Sequence, residues 1–198
     1  IKAFTFGQWN RIDPEVFAFI SSQQIAHVST GNIGSISTAH VSVLTKPQIT
    51  ALTTDEMAHL YADQLNAFSS SQVNSLTGKQ VEKISTVQIS SLSTGFVSAL
   101  SAIQVRALST LALSAMSTEQ IQALDPEDVA KLSAQQIKSL SIETVQSFTT
   151  GQIQGLNKLD ITEFSLTQIA NLTTDQIAAI RTDSLAGLTK AHLDALTT

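Results

Sequence analysis

The sequence predicts an all-α protein: a solenoid of about 25 very short capped helices, one to each octapeptide. Three observations predict it. Two places in every eight residues are apolar, a helix-capping residue follows the second of them, and Gln recurs three residues after the cap. Counting in eights, the first place reads Ile1, Trp9, Phe17, Ile25 and Ile33 and runs on to Leu193. The fourth reads Phe4, Ile12, Ile20, Val28 and Ile36 and runs on to Leu196. All 25 copies of each are large and apolar, and no insertion breaks the register over 198 residues. The fifth place is Ser, Thr, Asp or Asn in 23 of 25 copies, Tyr61 and Arg181 excepted, and the eighth is Gln in 13 of 24. A fixed short period held this long marks a repeat architecture.

Each octad builds one helix start. A continuous helix fails, because eight residues at 100° each overshoot two turns by about 80° and wind the apolar stripe around the axis. A strand fails too, since apolar spacings of three and then five do not alternate between faces. The capping residue resolves the pattern. In MSTEQIQAL (116–124), Ser117 serves as N-cap and Gln120 falls at the third helical position. That pair forms a capping box, each side chain meeting the other residue's orphan N–H, with Met116 and Ile121 as its hydrophobic staple. Asp13-Pro14-Glu15 and Asp125-Pro126-Glu127 place Pro at the first helical position, where its missing N–H costs nothing.

Packing must supply the rest. Helices of about six or seven residues are marginal alone, and a cap contributes only about 1 kcal/mol. The two apolar residues of each octad must therefore be buried against neighbouring octads, as in a solenoid. The third place is Ala, Ser or Gly in 16 of 25 copies, which lets helices approach closely. Between residues 88 and 168 Gln alternates at the eighth place, a 16-residue superperiod that favours two helices per superhelical turn, with three as the alternative. The expectation is one domain over residues 1–198, a rod without interior room for a substrate, with aromatic-rich atypical repeats over 1–20.

Composition narrows the function classes. A net charge of −5 argues against a nucleic-acid partner, which calls for a basic face. With no Cys there are no disulfides and no thiolate metal sites. No apolar run approaches the roughly 18 residues needed to span a bilayer, and no signal peptide is recognisable. A start at Ile1 rather than Met reads as an excised fragment or a mature form.

MSTEQIQAL and LTTDQIAAI (172–180) resemble the tandem octapeptide arrays of very large bacterial surface and secreted proteins, often labelled as adhesins or haem-utilisation proteins. The resemblance covers essentially the whole chain; TFGQWNRI (5–12) departs from it most. It implies a secreted or cell-surface scaffold that contacts a protein partner, further repeats of the same chain, or itself. It brings no catalytic motif.

The residues themselves point to no enzyme and no cofactor. His27, His40, His59 and His192 read as solvated surface histidines, and no CxxCH or paired His suggests haem. Asp125, Glu127 and Asp128, like Asp55-Glu56, Asp175 and Asp183, sit where a helix N-terminus attracts acids. The serines are caps without a His–acid partner. Apolar residues off the core places are the candidate protein-interaction patch: Val87, Phe96, Ile103, Leu111, Ile142, Leu159 and Leu166. With two helices per turn, Val87 and Ile103 would share one side. Phe4, Phe6, Trp9, Phe17 and Phe19 are half of the ten aromatics and read as a capping or docking end.

Overall fold

The computed structural model describes residues 6–196. Among them are 24 α-helices of four to six residues and no strand. The chain forms two compact units, residues 1–100 and 101–198. The first holds α1 (Phe6–Trp9), α2 (Pro14–Phe17), α3 (Ser22–Ile25), α4 (Thr30–Ile33), α5 (Thr38–Ser42), α6 (Lys46–Ala51), α7 (Thr54–His59), α8 (Ala62–Asn66), α9 (Ser70–Val73), α10 (Gly78–Glu82), α11 (Thr86–Ser90) and α12 (Thr94–Ser98). The second holds α13 (Ala102–Ala107), α14 (Thr110–Ser114), α15 (Thr118–Ala123), α16 (Pro126–Val129), α17 (Ala134–Ser139), α18 (Ile142–Ser147), α19 (Thr150–Gly155), α20 (Lys158–Thr162), α21 (Leu166–Ala170), α22 (Thr174–Ala179), α23 (Thr182–Leu185) and α24 (Lys190–Ala195).

Every described octad restarts a helix at its fifth place. Ser117 is extended (φ −73°, ψ 165°) and its Oγ accepts from the Gln120 N–H at 3.3 Å. Gln120 Oε1 accepts from the Ser117 N–H at 2.8 Å in return. This reciprocal box satisfies two of the orphan donors that any helix start exposes. Asp13 and Asp125 cap without a box, and each is followed by Pro in the first turn. No described residue adopts positive φ, so no helix ends on a left-handed cap. The longer helices instead leave directly into an extended core residue, such as Leu124 (φ −66°, ψ 137°), and the next cap follows.

Helices stack three apart. In the first unit α2 packs on α5 and α5 on α8, α3 on α6, α4 on α7, α7 on α10, and α9 on α12. In the second, α13, α16, α19 and α22 form one column, and α15, α18, α21 and α24 another; α14 packs on α17 and α20 on α23. Three octads therefore make each turn. This corrects the expectation of two per turn in favour of the alternative.

The hydrogen bonds give the same answer. Gln64 Nε2 donates to the carbonyls of Ile33 at 2.9 Å and Ile36 at 2.6 Å, 31 and 28 residues back. Gln80, Gln88, Gln136, Gln152 and Gln168 repeat both spacings. A turn of two octads would need partners one octad nearer. Each such Gln closes the N-terminus of its own helix with its oxygen. With its nitrogen it reaches two carbonyls at the end of a helix one turn below; the one 31 residues back, such as that of Ile121, also accepts a backbone N–H from Leu124.

The first and fourth places form the core. Ile49, Met57, Leu65, Val81 and Ile89 in the first unit, and Val105, Val129, Val145 and Ile169 in the second, are fully buried. Burying each contributes about 1.5–3 kcal/mol relative to exposure. Burial falls only in the outermost turns, at Ile12, Ile20, Ile177, Leu185, Leu188, Leu193 and Leu196, where turns pack on one side. The third place admits close approach where backbone meets backbone. A Cβ added at Gly155 would stand 2.7 Å from the Pro126 carbonyl oxygen, a distance real side chains do not reach. Elsewhere that place carries long side chains such as Lys83 and Lys131, which project into solvent.

Candidate interaction surface

Beyond the apolar core lie a polar seam inside the stack and apolar side chains outside it. The seam is made by the eighth place. In some octads without Gln another polar residue takes its part. His40 is 3% exposed; its Nε2 donates to the Ile12 carbonyl at 2.7 Å, 28 residues back, and its Nδ1 shares a hydrogen bond with Ser37 Oγ at 2.6 Å. Ser184 Oγ donates to the Leu156 carbonyl at 2.8 Å, again 28 back. His192 is buried as well, and its Nδ1 accepts from the Thr189 N–H at 3.3 Å. The expectation of four solvated histidines thus holds for His27 and His59 and is corrected for His40 and His192. The two buried ones take the amide's place in the repeat.

A second tie runs upward from the second place of an octad to the third place three octads on. Asn10 and Asn66 donate to the carbonyls of Ser35 and Ser91, 25 residues ahead. Gln146 and Thr162 make the same reach to Asn171 and Gly187, and Lys138 pairs with Glu163 at 2.7 Å. Asn10 and Asn66 do more. Their Oδ1 atoms accept from the N-cap N–H groups of Ser37 and Ser93, at 2.9 and 2.7 Å. In those two octads the eighth residue is His40 or Phe96, which leaves that N–H without its usual Gln. The missing local acceptor is supplied from the turn below.

The apolar residues chosen from sequence do not form one patch. Phe96 is buried (3%) and is corrected to a core residue, filling inward space that Gln occupies in other octads. Val87, Ile103, Leu111 and Leu159 are 70% or more exposed and Leu166 is 47% exposed, while Ile142 is half-buried. Val87 belongs to the first unit and Ile103 to the second, and the two-per-turn premise that set them on one side does not hold. Within the second unit Ile142 and Leu166 lie one turn apart on α18 and α21, which pack together. Leu111 and Leu159 are two turns apart at the seventh place, with Gln135 between them, and Ile103 belongs to the α13 column.

Within the first unit Val87 meets residues that sequence reasoning did not select. A shallow groove between the α7–α8 corner and α11 is lined by Ala58, His59, Tyr61, Ala62 and Val87. Gly34 lets the α7–α8 corner pack close, because a Cβ there would stand 2.7 Å from the His59 carbonyl oxygen and 3.3 Å from the Tyr61 ring. Tyr61 was legible only as a break in the cap pattern. That it lines one groove with Val87, three octads further on, follows only once the length of a turn is known.

Near the start, Trp9 and Phe17 are buried edge to face, with ring centroids 5.8 Å apart, and Phe17 also packs on His40 at 4.9 Å. Phe19 projects into solvent at 88% exposure, whereas Phe4 and the Phe6 side chain lie outside what the structure describes. Among the described residues no group of three His, Cys, Asp or Glu side chains is placed to hold a metal ion. No helix among them is long and apolar enough to cross a membrane. No protein-family model matches the chain, and no curated protein matches it.

Proposed function

We propose that this chain is a non-enzymatic repeat scaffold: a stalk or spacer with lateral protein contacts, belonging to a larger bacterial surface or secreted protein. The observation that carries the reading is the reuse of inward polar groups. At Gln136, Gln152 and Gln168 the eighth-place side chain serves both its own helix start and the carbonyls one turn below. A joint that recurs at every turn adds length without adding chemistry, which suits a spacer. Exposed apolar side chains such as Leu111 and Leu159, set in a surface of Ser, Thr and Gln, supply sites for lateral contact with a protein partner, further repeats or a second copy. A net charge of −5 fits neither nucleic acid nor an anionic membrane.

Duplicating one turn of the full chain, residues 134–157, tests the spacer reading. The lengthened protein is expected to fold with a proportionate gain in helical ellipticity and no loss of melting temperature, as nearest-neighbour repeat energetics require. Aggregation or loss of the cooperative melt would contradict it.

A second reading rests on the groove beside Tyr61 and Val87. An aromatic ring, an imidazole and an apolar side chain around one shallow depression suit a discrete peptide-binding solenoid, such as a secreted effector domain.

A further inference from the structure

In the first unit Gln48, Gln64, Gln72, Gln80 and Gln88 each turn an amide N–H toward the carbonyl 28 residues back. His40 does the same with its ring N–H. Glu56 stands in the middle of this series, between Gln48 and Gln64, and has no nitrogen to offer. It is 1% exposed. Its Oε2 reproduces the capping half of the glutamine, accepting from the Thr53 N–H at 2.7 Å and from the Thr53 hydroxyl at 2.9 Å. Its Oε1 is buried without a hydrogen-bond partner. By register, the corresponding carbonyls one turn back from Glu56 belong to Val28 and Ile25, at the end of α3. A carboxylate there would set oxygen against oxygen, away from water, and an unmet buried charge is among the most expensive features a fold can carry.

We propose that Glu56 is held as the neutral acid, with its Oε1–H donating to the main-chain carbonyls at the end of α3, and that losing this proton loosens the turn it closes. The acid thereby imitates an amide: one oxygen accepts at the helix start and the other donates downward. Unlike an amide, it does so only while protonated.

Burial favours the neutral form, against a mixed set of nearby charges. Helix α4, packed against α7, carries no titratable side chain; α10, packed on the other side, carries Lys79 and Glu82, with Lys83 just beyond. The helix of Glu56 itself adds Asp55 and His59, and His27 follows the end of α3. Burial raises the pKa of Glu56 above the usual carboxylate range. The Thr53 hydrogen bonds and the charge of His27 pull it back, and Asp55 pushes it up. A group whose folded pKa exceeds its unfolded value stabilises fully below the unfolded value, and that contribution is lost as pH rises through the folded one. The contribution of Glu56 is therefore greatest in acid, and the turn it closes slackens as the pH rises through its raised pKa.

Two measurements on the full chain test this. Thermal melts of the wild type and Glu56→Gln, followed from pH 4 to pH 8, are expected to coincide in acid. As the pH rises the Gln variant should pull ahead, by roughly 5 °C for a unit of this size. The side-chain carboxyl carbon of Glu56, followed by NMR, should titrate above the ordinary carboxylate range. A melting difference that does not change with pH, a Gln variant less stable throughout, or a carboxyl titrating in the ordinary range would each overturn the proposal.

Discussion

One step along a helix's first turn decides whether an acid is a cap accessory or a buried liability. At the seventh place, the pKa of Glu119 is held low chiefly by the Ser117 hydroxyl, that of Glu143 by its own backbone N–H, and that of Asp183 by Arg181, all in solvent. At the eighth place, burial pushes Glu56, Asp128 and Asp160 the other way. The roughly 100° between neighbours turns one side chain out and the next into the stack. The same logic separates Leu124, 3% exposed, from the solvent-facing Gln122 two places earlier. Leu124→Ala should cost about 2–5 kcal/mol through the cavity it leaves, whereas Gln122→Ala should cost under about 0.5 kcal/mol. Urea unfolding of the two variants checks this, and equal small losses would refute the core assignment. The capping half of Gln120 was legible in sequence, because its partner Ser117 lies only three positions away. The downward half of Gln152 was not, because the carbonyls of Ile121 and Leu124 become its neighbours only after the chain has coiled. Burial of His40 and His192 was hidden for the same reason.

Among elements, helices this short persist because their ends are satisfied from elsewhere. A four-residue helix such as α9 closes a single turn, with Val73 and Asn74 donating to the Ser69 and Ser70 carbonyls, so ties to other turns count for more than propensity. Asn66 shows how selective those ties are. It serves both the Ser91 carbonyl and the Ser93 N–H of α12's cap, where Phe96 cannot. Asn74 holds the same octad place but bonds only the Ser70 carbonyl of its own helix. Asn66→Ala should therefore destabilise by about 1–3 kcal/mol, the cost of stranding polar groups, and Asn74→Ala by well under about 1 kcal/mol. Chemical denaturation of the pair measures the difference; similar values would show that the cross-turn bond contributes nothing. All the described helix starts but those after Tyr61 and Arg181 were readable from Ser, Thr, Asp and Asn. The replacement of a missing box by an Asn from three octads earlier was not, because nothing in the local phrase LSTGFVSAL (92–100) points 27 residues back.

For the molecule as a whole, the octad register spelled out an all-α repeat, and the structure is one. The number of octads per turn was misread. The alternation of Gln88, Gln104, Gln120, Gln136, Gln152 and Gln168 suggested pairs of octads. That period of two carries no information about coiling, since each Gln caps its own start whatever its neighbours are. The informative periods are longer: side chains reaching 25 residues forward and 28 and 31 back. Such spacings emerge only from bonded pairs, and they also divide the apolar surface residues among different columns. The most direct test places two cysteines in this cysteine-free chain and asks which pair a short bifunctional reagent joins. Glu143 and Thr167, three octads apart on α18 and α21, face solvent from helices that pack together. Glu143 and Leu159 are two octads apart on α18 and α20. Three octads per turn predicts efficient linkage of E143C/T167C, across the roughly 8–10 Å between packed helix axes, and little linkage of E143C/L159C. Preferential linkage of the two-octad pair would contradict the stacking on which every tie between turns depends.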